Sequence, residues 1–179
     1  MPDYVDLSEP GKLKKRSGSD VYMRLSENAT LLANYEMKIK IQNEIKDDAQ
    51  IFIGVLDDYN WINDISYSHD DGKIYNINSG INETTEITTI NAKLKKHSII
   101  KVRNAIVPNE REKTIAPEKR FLVGITIDDV KSGMLFYKNV YNNYGKLPFL
   151  YFGRDVEVEL DVEVVSKIFI NFKHCRMIR

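Results

Sequence analysis

The chain has 179 residues, 42% hydrophobic and 29% charged, which suits one folded domain with its own core and excludes a disordered polyelectrolyte. Its 26 Lys and Arg balance 26 Asp and Glu, so the formal net charge is zero and the basic excess of a dedicated nucleic-acid binder is missing. A single cysteine, Cys175, closes no disulfide framework and builds no structural zinc site, and no apolar run approaches the ~20 residues of a bilayer span. Met1 to Asp6 lacks the basic and then apolar blocks of a signal peptide, so a cytoplasmic location is the expectation, with no membrane partner.

Residues 1–20 read as a flexible N-terminal arm, because Ser8 to Asp20 mixes turn formers with the basic run Lys12 to Arg16 and repeats no apolar residue at strand or helix spacing. The basic run reads as solvated surface. From Tyr35 the pattern changes. Tyr35, Met37, Ile39 and Ile41 alternate with Glu36, Lys38, Lys40 and Gln42, the period of a half-buried strand. After a turn at Lys46-Asp47-Asp48, the continuous run Ile51 to Leu56 predicts a buried strand, and the two read most simply as a hairpin. Ser66 to His69, the turn Asp70-Asp71-Gly72, and Lys73 to Ile77 predict a second hairpin.

Residues 78–118 are polar and read mostly as a long insertion with one or two short strands. Phe121 to Ile127, a turn over Asp128 to Gly133, and Met134 to Tyr137 form the clearest hairpin in the chain. Leu147 to Phe152 predicts another strand, in which Pro148 suits a first position or an edge because it removes a ladder donor. Val156 to Val164 alternates with Glu157, Glu159, Asp161 and Glu163, and such carboxylates on one strand face call for solvent or a basic partner. Ile168 to Phe172 reads as a last strand. Eight or more strands with little or no helix predict an all-β antiparallel sandwich of jelly-roll type, with residues 21–179 as a single domain.

The order of these pieces resembles the SPRY domain, a bent β-sandwich related to the concanavalin-like jelly rolls. Leu25-Ser26-Glu27-Asn28 is similar to its leading strand, and Tyr35 to Ile41 followed by Ile51-Phe52-Ile53-Gly54-Val55 to its next segment. Ser66 to Asn76, crossing an Asp-Gly turn, resembles a third piece. Val123-Gly124-Ile125-Thr126-Ile127-Asp128, Gly133 and Leu135-Phe136-Tyr137-Lys138-Asn139 carry the most specific signature. The sequence departs from that pattern at Val140, at Lys119-Arg120, in residues 78–118 and in the acidic strand of residues 155–163.

Neither a GxSxG elbow nor a P-loop nor GxGxxG occurs, and His69, His97 and His174 show no metal-ligand spacing, so no catalytic residue, metal or cofactor is expected. A binding surface is better supported. Asp57-Asp58-Tyr59-Asn60-Trp61 directly follows a buried strand and places the only Trp among polar groups, the mix of rigid aromatic area and hydrogen-bonding side chains found in recognition loops. Trp61 is the leading anchor, with a core lid as the alternative. The segment from Asn139 to Gly145 has the same character. In SPRY-type proteins, loops at one end of the sandwich form a peptide-binding surface. The resemblance therefore implies that Tyr59, Trp61, Tyr67, Tyr141 and Tyr144 converge, with Asp57, Asp58, Asn60 and Asn142 meeting a ligand's backbone groups. Tyr75 and Tyr137 read as core or sheet-face residues. The expected function is a non-enzymatic module for a protein or peptide partner. A lectin-like or viral structural sandwich is the alternative, and the oligomeric state stays open.

Overall fold

A computed structural model describes residues 5–24, 34–57, 63–78, 83–107, 119–139 and 146–166. Thirteen strands run through them: β1 (Val5–Asp6), β2 (Lys12–Lys15), β3 (Val21–Arg24), β4 (Tyr35–Ile41), β5 (Ile51–Asp57), β6 (Asn63–Ser68), β7 (Lys73–Asn78), β8 (Glu83–Thr89), β9 (Ile99–Val107), β10 (Lys119–Ile127), β11 (Val130–Asn139), β12 (Lys146–Phe152) and β13 (Val158–Ser166). They form a seven-stranded sheet, β1-β2-β13-β4-β9-β10-β11, and a six-stranded sheet, β3-β12-β5-β6-β7-β8. Every neighbouring pair is antiparallel. The all-β jelly-roll sandwich expected from the alternation is the observed architecture. Among the described residues no helix is long and apolar enough to cross a membrane.

The core lies between the sheets. Tyr35, Met37, Ile39 and Ile41 of β4 are at most 1% exposed, and they pack in one cluster with Ile53 and Val55 of β5, Ile100 and Val102 of β9, Val123 and Ile125 of β10, and Leu150 and Phe152 of β12. This is the inward half of each strand's two-residue period. The six-stranded sheet carries a second apolar cluster: Leu56, Leu147 and Phe149, with Phe52 and Tyr151 packed against them. These residues alternate along β5 and β12 with the inward set, so they lie on the sheet's other face, where Tyr22 stacks on Phe149 at 5.5 Å. A run apolar on both faces is what makes Ile51 to Leu56 read as continuous.

Several expectations are corrected. β4 and β5 are not a hairpin: β4 pairs with β13 and β9, β5 with β12 and β6, and the 42–50 connection carries the chain from one sheet to the other. Their inward faces meet across the core, a relation that hydrophobic period alone does not separate from edge-to-edge pairing. The stretch expected as an arm supplies two strands, with Leu13 4% and Lys15 1% exposed. Much of the stretch expected as an insertion is β8 and β9, and β9 pairs with both β4 and β10. The acidic strand, named above as a departure from the SPRY pattern, is β13 and lies between β2 and β4.

Charge explains the placements of β2 and β13. Glu159 lies opposite Lys14 and Asp161 opposite Lys12 on one side, while Asp161 and Glu163 face Lys40 and Lys38 on the other. The Lys14 ammonium meets Glu159 at 2.6 Å, and Gln42 donates to Asp161 Oδ2 at 2.6 Å. The basic partner that the carboxylates call for is thus the chain's own β2 and β4.

The β6–β7 and β10–β11 hairpins form where expected. The second turns at Asp128 and Asp129, whose φ angles of 47° and 67° give a two-residue turn, and Gly133 lies inside β11. Asp128 stabilises this turn by accepting from Ser98 Oγ and the Ile99 amide, both at 2.9 Å. Pro148 is not at the strand start but is the third residue of β12, paired with Val55 on the β5 side and one residue past the described β3 ladder at Phe149–Arg24. The expected strands at Leu25–Asn28 and Ile168–Phe172 lie outside the described residues.

Candidate partner-binding surface

Strand direction and register place the roots of the two expected recognition loops. β5 runs out at Asp57, and Asp57 pairs with Lys146, the first residue of β12. Adjacent strands of one sheet therefore open at the same end into the 58–62 and 140–145 connections. β11 reaches that end at Asn139, opposite Lys119, so the 140–145 segment also joins the two sheets. Asp58, Tyr59, Asn60, Trp61, Tyr141, Asn142 and Tyr144 lie outside the described residues, and of Asp57 only the backbone is described.

Tyr67 does not join them. It occupies β6 opposite Ile53 and Ile74, is 0% exposed within the main core, and donates its hydroxyl to the Ala92 carbonyl. Burial pushes its phenol above the ordinary tyrosine range. The reason was available in the alternation: Ile65 and Tyr67 share a phase, while Ser66 and Ser68 take the other. Tyr67 is a core residue and offers no contact surface. Tyr75 is a sheet-face residue, with its hydroxyl donated to Asp71.

At the opposite end of the sandwich, the described connections form a polar cleft of about 730 Å³ that the sequence reading missed. Its walls come from residues 17–20, 43–50 and 153–157, and Asp20, Glu44, Asp48, Asp155 and Glu157 outnumber Lys46 and Arg154 along it. Main-chain bonds fix the walls: Gly18 N to Arg154 O at 3.1 Å and Gly153 N to Gln50 O at 2.8 Å. Asn43 Nδ2 adds a bond to the Glu157 carbonyl at 3.1 Å, and Asn43 Oδ1 accepts from Glu159 N at 2.8 Å.

Against the 153–157 segment, the buried Lys15 ammonium donates to the carbonyls of Val156 at 2.8 Å, Arg16 at 3.1 Å and Arg154 at 3.3 Å. Burial lowers its pKa, opposed by the charges of Asp20, Asp155 and Glu157. Three carbonyl acceptors give the charge the partners that burial demands. Among the described residues no group of three or more His, Cys, Asp or Glu is arranged to hold a metal ion.

The comparisons with solved structures identify the class of fold. A human SPRY domain superposes with a TM-score of 0.59 at 18% identity, covering 90% of this chain and 95% of that one. The SPRY domain of human HERC1 gives 0.54 at 15% identity, over 95% of this chain and 99% of that one. The exoplasmic/lumenal domain of VIP36, in a form bound to Ca²⁺ and mannose, gives 0.52 at 10% identity over 94% and 82%. No protein-family model matches the chain, and no curated protein does. The chain has the SPRY-type, concanavalin-like fold that its motif order resembles.

Proposed function

We propose that this protein is a non-enzymatic interaction module that holds a peptide or a surface of a protein partner in the loops 57–62 and 140–145. The observation that carries the reading is the Asp57–Lys146 pairing, which roots both aromatic, Asn- and Asp-rich segments on neighbouring strands at one end of the sandwich. The SPRY-type fold of the superposed structures supports it. In this reading Trp61, Tyr59, Tyr141 and Tyr144 supply rigid aromatic area, and Asp57, Asp58, Asn60 and Asn142 meet the ligand's polar backbone groups. The sheets serve as a rigid base, so binding moves the scaffold little. Tyr67 has no part in the surface.

A carbohydrate ligand for the same loops is the second reading, because a mannose-bound lumenal domain shares the fold. Fold does not choose between the two, since one sandwich hosts both functions. The test is a parallel screen of a displayed peptide library and a glycan array, with each hit titrated against wild type and a Trp61→Ala, Tyr141→Ala double variant. The proposal expects peptide hits whose affinity falls at least about tenfold in a variant with unchanged thermal unfolding. Glycan hits alone support the second reading. A variant that unfolds makes Trp61 a core lid.

A further inference from the structure

His69 follows β6 and is 0% exposed. Its ring joins two separate connections at the cleft end of the sandwich. Nε2 lies 2.9 Å from the Lys46 carbonyl, which can only accept, so Nε2 carries the proton. Nδ1 lies 3.0 Å from the Leu94 amide, which can only donate, so Nδ1 presents its lone pair. The two contacts together define a neutral ring in the Nε2–H tautomer. The Leu94 side chain, carried by the same residue, is 2% exposed in the main core.

We propose that His69 is an acid-released latch that holds the middle of the 90–98 connection against the sandwich and frees it on protonation. A second proton has one place to go, Nδ1, and there it meets the Leu94 N–H donor to donor. The contact must open. The ends of the connection are fastened independently: Ile90 N donates to Gly72 O at 2.9 Å and His97 N to Ile41 O at 2.9 Å. Asn91 and His97, with φ of 57° and 71°, bracket the segment in left-handed backbone. The part that His69 holds is therefore Leu94 and its immediate neighbours, between Ala92, whose carbonyl accepts from Tyr67, and Lys95, bonded through its amide and carbonyl to Ser98.

The charges facing the ring come from three elements. Lys93 on the connection itself opposes protonation, while Asp47 on the 42–50 connection and Asp70 beside the ring favour it. Lys93 Nζ donates to the Asp47 carbonyl at 3.0 Å, a second tie between the same two connections. Burial dominates and holds the ring below the ordinary histidine range, so the latch is closed at neutral pH.

The test is NMR of the full chain between pH 7.5 and 5.0, following the imidazole ¹⁵N shifts of His69 and the amide exchange of Leu94, corrected for intrinsic rates. Acid should convert His69 to the doubly protonated ring and lower Leu94 protection about tenfold, while the amide of Ile39 in the seven-stranded sheet keeps its protection. A His69→Gln variant, which offers a donor and an acceptor but takes up no proton, should keep Leu94 protected at pH 5.0. If that variant does not fold, Leu94 against Ile39 in wild type decides alone. A ring that protonates with Leu94 still protected, a ring neutral throughout, or parallel loss at Leu94 and Ile39 each overturns the latch.

Discussion

Two glycines, both in strands flanked on either side, should respond in opposite directions to the same methyl group. At Gly54 in β5, an added Cβ would lie 1.9 Å from the Ile65 carbonyl oxygen, 2.7 Å from Ser66 Cα and 2.9 Å from the Ile65 carbonyl carbon, all main-chain atoms of β6. No side chain can swing aside to make room. The strands would have to separate at Gly54–Ser66, yet β5 is held by Ile53 and Val55 in the inward cluster and by Leu56 in the outward one. Overpacking costs about 1–3 kcal/mol and a lost ladder bond about 0.5–1.5 kcal/mol, so Gly54→Ala should destabilise by about 1.5–4.5 kcal/mol. At roughly 2–4 °C per kcal/mol for a chain of this size, Tm should fall by about 3–18 °C.

At Gly124 in β10, nothing among the described residues lies within 4 Å of the added Cβ, and its φ is not in the left-handed region. Gly124→Ala should therefore gain about 0.5–1 kcal/mol from the glycine entropy no longer lost on folding. Urea unfolding of both variants beside wild type reads the difference directly, with the midpoint moving in opposite directions at constant m. Equal midpoints for the two variants would refute the β5–β6 close approach.

Leu13→Ala should cost about 2–4 kcal/mol by urea unfolding, because Leu13 is packed in the main core; a mobile arm would show no effect. Tyr67→Phe should lose about 0.5–1.5 kcal/mol with the Ala92 bond and leave affinity for any selected ligand unchanged by titration. For His69, burial depresses the folded pKa below the unfolded value of about 6.5, so as pH falls through about 6.5 the unfolded chain takes up the proton first. His69 should thus make the protein less stable from pH 7.5 to 5.5, with a loss missing from His69→Gln in denaturant melts at the two pH values.

The sandwich was legible where one physical signal sufficed. Alternation located β4, the Asp-Gly turn the β6–β7 hairpin, and Asp128 the turn of β10–β11. Partnership between strands was not legible. β4 and β5 have the apolar pattern of a hairpin, and only the full set of pairings assigns them to opposite sheets. β2 escaped because a four-residue strand with one apolar side chain has almost no period, and its best signal was complementarity: Lys12 and Lys14 match Asp161 and Glu159 of β13. β9 was hidden by polar neighbours, though Ile100 and Val102 share a phase. At the candidate surface, the neighbouring roots at Asp57 and Lys146 follow from strand register, which no local sequence signal carries, whereas Tyr67 was assigned by residue type against its own inward phase. The cleft at the other end draws its walls from residues 17–20, 43–50 and 153–157, a juxtaposition created by topology.

The central claim is that partner binding resides at the end where β5 and β12 open into their connecting loops. Amide hydrogen exchange by mass spectrometry, with and without a saturating peptide from the display screen, tests it most directly. The account predicts protection in peptides spanning 57–62 and 140–145, with residues 43–50 and 153–157 unchanged. Protection confined to the polar cleft, with the 57–62 and 140–145 loops exchanging as in the free protein, would contradict it.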